Sequence, residues 1–374
     1  MYPIYLDFNR TTPLAPSVLE AMQNFWTQHF LLPGQEHPQA WAVAESLEHA
    51  RECVAGMVGC EAFEIVFTGS GTEANNLAIL GAAGRFRDGH VIVSALEHDS
   101  VCNTAAMLGR LGWRVDTVPA QEDGTIDPER IKDLICNETQ LVCLQAANPV
   151  LGTIQPVREV ADLCHSRGVA VHCDATQAFG KMPIDVSQLR AETVAISGHK
   201  FYGPKGTGAL YVRRGHSLAP IMFGESREMG LRPGAENVPG WIGLGAAASL
   251  ARRCCEEASV AMTALRDHFA SSLKAIIDPA PVVQCESSLR LSNTLTIEFP
   301  GEAREVQRAA RELILATAMS SLPADEMTRC LRAIGRSEYQ IGRSIRISIG
   351  WTTSREQIDR AVELFAEAID SIKH

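Results

Sequence analysis

The sequence predicts an α/β protein, with a large unit built on a mostly parallel sheet and a smaller α+β unit after it. Three observations predict this. Strand-like and helix-like segments alternate through the middle of the chain. The strand-like runs are continuously apolar, as strands covered on both faces are. From about Val238 the alternation gives way to long helices and a few separate strands. The large unit is expected at 13–250, and the small one at 1–12 together with 251–374. At 374 residues the chain is too long for one ordinary core.

The elements follow in order. "EIVFT" is a short β-branched run, and "TEANNLAILGAAGRF" after it has helical spacing. "HVIVSA" precedes "SVCNTAAMLGRLG". "WRVDTVPA" leads to "DPERIKDLI", which opens with Asp127 as helix cap and Pro128 at the first helical position. "QLVCLQAA" precedes "PVREVADLCHSRG", and "VAVHCDA" follows directly. Beyond Val238 come long helices, "NTLTIEF", "REVQRAARELI", "SIRISIG" and the terminal "SREQIDRAVELFAEAIDSI".

Composition narrows the function. Net charge is -10, and no Lys/Arg cluster is present, which argues against nucleic acid as the main partner. The 11 cysteines form no CxxC pair, so neither a disulfide framework nor a zinc site is expected, and a reducing cytoplasm suits them. "VPGWIGLGAAASLA" reads as a buried helix instead of a membrane span. No signal peptide is evident at the start of the chain.

Four stretches fall at the ends of predicted strands, where open α/β sheets bind ligands: "FTGSGTEANN", "ALEHDS", "HCDATQ" and "SGHK". Gly71 and Thr72 open a helix after a turn of small residues, which suits a phosphate or a plain turn. Asp174 suits a protonated ring nitrogen or a helix cap, with Gln177 one turn on. His98 suits stacking on a flat ring, or a core or capping role. Lys200, beside Ser197 and His199, suits a bond to an aldehyde or a solvated face. Together these groups fit one cofactor, pyridoxal 5′-phosphate, which needs a lysine, an acid and phosphate donors.

The chain resembles the class V aminotransferase superfamily of fold-type I, closest to the cysteine desulfurases and selenocysteine lyases. "YLDFNRTTPL", "FTGSGTEANNLAI", "HCDATQAFGKMPIDV", "SGHKFYGPKGTGALYVRR", "LRPGAENVPG" and "SIRISIG" carry the likeness. It implies a seven-stranded sheet, a homodimer and the following roles. Lys200 bonds the cofactor aldehyde, Asp174 pairs with the ring nitrogen, and Gln177 and Asn148 lie near the ring hydroxyl. His98 stacks on the ring; Thr72, Ser197 and His199 hold the phosphate. Arg346 binds the substrate carboxylate, a task suited to its forked guanidinium.

The departures from that family bear on the reaction. Met319 stands where a desulfurase has its persulfide cysteine, and a thioether is no thiolate nucleophile. Cys330 is nearest, in "DEMTRCLRAIG", which reads as a helix with Cys330 facing the core. Pro149 replaces a second asparagine, "GESREMG" replaces a glycine-rich loop, and Ala235 replaces a phosphate-contacting threonine. Arg10 replaces an alanine at the substrate cavity, where it reads a second acidic group on the substrate or pairs with Glu225. The leading expectation is a lyase that cleaves a Cβ leaving group, such as sulfur or selenium, from a small amino acid without an enzyme cysteine. The alternatives are aminotransferase or epimerase chemistry at Cα, a genuine cysteine desulfurase, and a silent cofactor-binding partner protein. Whether a sulfur-acceptor protein docks is left open.

Overall fold

The structure, a computed structural model, describes residues 3–318 and 325–373. Its centre is a seven-stranded sheet. In spatial order the strands are Ile65–Thr68, Gly208–Val212, Thr193–Ser197, Ala170–Asp174, Thr139–Cys143, His90–Ser94 and Arg114–Val118. Gly208–Val212 alone runs antiparallel to its neighbours; the other pairings are parallel. The interior strands are buried along almost their whole length, whereas Arg114–Val118 at the edge keeps polar, exposed positions. That is why the interior strands read as unbroken apolar runs.

Helices begin where the sequence places caps. The Asp127 carboxylate accepts the Glu129 N–H, with Pro128 at the first position of helix Pro128–Leu134. The Ser70 hydroxyl accepts the Glu73 N–H at the start of helix Gly71–Ala83. Each cap satisfies an N–H that the helix cannot.

A four-stranded antiparallel sheet, in the order Ala316–Thr317, Ser344–Ser348, Thr294–Glu298 and Val282–Val283, forms the second unit. Its core contains Leu6, Leu295, Ile297, Ile345, Ile347 and Phe365. Ile4–Tyr5 pairs with Leu313–Ile314 beside it. The helix Val238–Ile276 runs unbroken for 39 residues across the boundary expected at 250/251. Trp241, Leu244 and Ala248 of this helix pack in the large core, and Met262, Phe269 and Leu273 in the small one. Helix Glu326–Ala333, expected with the small unit, packs Met327, Cys330 and Leu331 against the large core. Among the described residues no helix is long and apolar enough to cross a membrane.

Candidate active site

Parallel strands deliver their C-terminal ends to one edge of the sheet. Ile65–Thr68, Ala170–Asp174 and Thr193–Ser197 all end there, beside a cavity of about 290 Å³. The segment after Phe8 closes one side, and Arg346 and Glu326 close another. Ten of the eleven residues singled out in the sequence line this cavity: Arg10, Gly71, Thr72, His98, Asp174, Gln177, Ser197, His199, Lys200 and Arg346.

Lys200 ends a single 3₁₀ turn after Ser197. Its Nζ donates to the carbonyls of Asn9, at 2.7 Å, and Arg10, at 3.1 Å. Burial, then the Arg346 charge, pulls its pKa down to about 8. Thr12 holds the turn, its N–H and hydroxyl both donating to the His199 carbonyl. A second lysine, Lys181, is buried and donates to Gln177 Oε1 at 2.6 Å. Burial and the charges of Lys200 and Arg346 push its pKa well down. Gln177 Nε2 donates to the Asn9 carbonyl at 2.9 Å. With its oxygen committed to Lys181, Gln177 presents N–H donors to its surroundings.

Asp174 keeps one oxygen on the Thr176 N–H and the other on Asn75 Nδ2, at 3.0 and 2.8 Å. Asn75 also donates to Ser100 Oγ, so its Oδ1 faces His172 Nε2 at 2.9 Å as an acceptor. His172 Nε2 therefore carries the proton, and Nδ1 accepts from the Thr193 hydroxyl at 2.9 Å. Burial holds the His172 pKa down at about 4, so the ring stays neutral. His98 is both helix cap and cavity wall. Its Nδ1 accepts the Ser100 N–H at 3.0 Å, so Nε2 is the nitrogen left to face the cavity as a donor.

Gly71, Thr72, Ser197 and His199 form the opposite end. A Cβ on Gly71 would lie 2.6 Å from Thr176 Cγ2 and 3.2 Å from Ser197 Cβ, so only glycine leaves this end open. His199 Nδ1 meets the Thr11 hydroxyl at 3.1 Å, and burial holds its pKa at about 4.

Arg346 is buried and pairs with Asp7 through one terminal nitrogen, while its Nε is buried without a hydrogen-bond partner. Asn148 is the residue placed elsewhere. Its Oδ1 accepts the N–H groups of Val150 and Leu151, and its Nδ2 donates to Leu96 O and Cys330 Sγ. A turn thus consumes the amide that the sequence suggested for the ring hydroxyl. Pro149 does line the cavity, and its carbonyl accepts from Asn9 Nδ2 at 2.9 Å. Cys330 is fully buried in its helix, with its pKa pushed up to about 12 by burial. Met319 lies outside the described residues. Ala235 is exposed. Glu225 pairs with Arg227 at 2.9 Å, and Glu228 of the same loop makes a two-pronged bond to Arg51. Asn9, Asn75, Gln145 and Glu326 also line the cavity. None of them was assigned a role in the sequence, though Asn75 lies inside "TGSGTEANN" and Asn9 in "NRTTP", the stretch expected at the substrate cavity.

The aminotransferase class-V family model matches residues 4–361. The chain belongs to the class-V aminotransferase family. Cysteine desulfurase IscS of Rickettsia felis is 35% identical, with 99% of this chain and 92% of that protein covered. The protein of the same name from Anaeromyxobacter dehalogenans is 36% identical, with 99% and 93% covered. Among solved structures, a NifS-like protein superposes with a TM-score of 0.92 at 31% identity, covering 99% of this chain and all of that one. A structure titled SspA in complex with cysteine gives 0.82 at 31%, covering 94% and 99%.

This class-V chain is therefore a pyridoxal phosphate-dependent enzyme of fold-type I. Its residues fit that cofactor. Lys200 offers a half-buried amine of lowered pKa, Asp174 offers a carboxylate with lone pairs to spare, and the Gly71 end is a cradle that a Cβ would fill. Such a donor set has a distinct partner for the aldehyde, the ring nitrogen and the phosphate.

Proposed function

We propose that this enzyme breaks the Cβ–S bond of cysteine or a close relative of it. The observation that carries the reading is the pairing of Lys200 with Arg346 on one cavity wall. One is a half-buried amine of pKa about 8; the other is a buried guanidinium with an unspent Nε. Bound there, pyridoxal phosphate supplies an aldehyde for amines and a ring that draws electrons from the carbon beside the amine.

The chain's own groups do the rest. Lys200 would hold the cofactor through Nζ, and the same atom would take the Cα proton of the substrate. Asp174 keeps the ring nitrogen protonated, held in place by Asn75 and, through it, by neutral His172. Arg346 binds the α-carboxylate, and His98 covers the ring. Gly71, Thr72, Ser197 and His199 receive the phosphate.

The names of the relatives favour cysteine itself, an alternative at the outset, over the better leaving groups first expected. No cysteine occurs between Cys285 and Cys330, and Cys330 is fully buried. In this reading sulfur leaves by elimination, the Cβ–S electron pair going to sulfur, which takes up a proton and departs as sulfide. The second reading, a genuine cysteine desulfurase in which a thiol attacks the substrate sulfur, was an alternative at the outset, and the names of the relatives support it better than elimination.

Product analysis separates the two. The loaded enzyme is incubated with cysteine: pyruvate, ammonia and sulfide mark elimination, and alanine marks thiol attack. Neither set of products from cysteine or an S-substituted cysteine defeats the C–S reading. Arg346→Lys keeps the charge and loses the fork, so substrate binding should weaken by roughly 1–3 kcal/mol; unchanged affinity removes Arg346 from its role.

A further inference from the structure

The cavity opens sideways into a second space of about 540 Å³, and Arg10, Glu326 and Arg346 line both. Arg304 and Arg308 line the outer space as well. Two charged groups at this junction are without a protein partner. Arg10 is solvent-exposed, and its guanidinium makes no hydrogen bond or ion pair among the described residues; its expected partner Glu225 is bound to Arg227. Glu326 has its Oε1 buried with no hydrogen-bond partner, which is costly unless a donor arrives. Arg346, on the inner side, has its own unspent Nε.

A guanidinium open to water and a carboxylate oxygen without a donor line the same junction, beyond the place where an α-carboxylate binds. One ligand group answers both: a second amino-acid head, with its carboxylate on Arg10 and its ammonium on Glu326. Resting on the C–S reading above, we infer that the junction is a subsite for the far half of an S-extended cysteine, of which cystine is the simplest. The chemistry agrees with the absence of a cysteine between Cys285 and Cys330. The Cα proton passes to Lys200, and the Cβ–S bond breaks with its electron pair going to sulfur. The far half departs as cysteine persulfide, which takes up a proton. The three-carbon remainder adds one water and yields pyruvate and ammonia. No external oxidant, reductant or enzyme thiol is consumed.

Four compounds test this: cystine, S-methylcysteine, S-carboxymethylcysteine and S-(2-aminoethyl)cysteine. Pyruvate release gives kcat/KM for each, and calorimetric titration into the cofactor-loaded Lys200→Ala protein gives binding without turnover. The wild type should prefer cystine to S-methylcysteine by both measures. Arg10→Ala should lower the ratio of S-carboxymethylcysteine to S-methylcysteine at least fivefold, and Glu326→Gln should do so for the aminoethyl compound. Both variants should lower the cystine ratio. Smaller changes, with S-methylcysteine still cleaved, overturn the subsite alone. Release of neither pyruvate nor alanine from any of the four overturns the C–S reading and the subsite with it.

Discussion

The Asn9 carbonyl accepts from Lys200 Nζ and Gln177 Nε2 together, so one backbone oxygen holds the reactive amine and a cavity-facing amide. The amine's pKa of about 8 has a consequence for pH. Only a neutral amine attacks an aldehyde, and the neutral fraction rises with pH until it passes the pKa. Uptake of pyridoxal phosphate by the cofactor-free protein should therefore speed up to about pH 8 and then level off. A stopped-flow absorbance series reads this; a rise continuing towards the ordinary lysine value of 10.5 contradicts it. Borohydride should fix the label on Lys200, not on Lys181 or Lys205. Lys200, Asp174 and His98 were legible because each sits in a short motif at a strand end. Glu326 was not, because only long-range packing brings it to the cavity, and the double role of the Asn9 carbonyl was not, because a backbone oxygen leaves no mark in a motif. Asn148 misled for a local reason: an asparagine side chain folds back on its own turn as readily as it reaches a ligand.

The elements show where a small change should be felt. Gly71 sits at the first turn of its helix with Thr176 and Ser197 against it. Gly71→Ala should cost roughly 1–3 kcal/mol through overpacking. Removing the opposing methyl with Thr176→Ser should return part of that. Chemical denaturation of the cofactor-free proteins measures both, and no recovery in the double variant contradicts the contact. Asp127→Ala, at a cap far from the cavity, should cost about 1 kcal/mol with cofactor uptake intact; equal stability would show that the cap is idle. Strand and helix order was readable because both-face burial gives continuous apolar runs. The extent of the helix Val238–Ile276 was not, because no glycine or proline marks the place where it changes cores.

At the scale of the whole molecule, several large apolar side chains stand in water: Phe223 is 87% exposed, Phe30 67% and Trp26 62%. The homodimer that the family resemblance implies is one way to cover them. Sedimentation at micromolar concentration should give a dimer that Phe223→Asp weakens; a wild-type monomer contradicts the implied dimer. The long helix governs a different property, divisibility. At 1.5 Å per residue it is a rod of about 58 Å, and it supplies a wall to both cores. Severing the chain at 250/251 would leave one fragment with Trp241 on a truncated stub, and the other with Phe269 on a helix deprived of its start. Neither fragment would keep a closed interior. Two units that look separable on paper are one piece of machinery to a protease or a domain-swapping experiment.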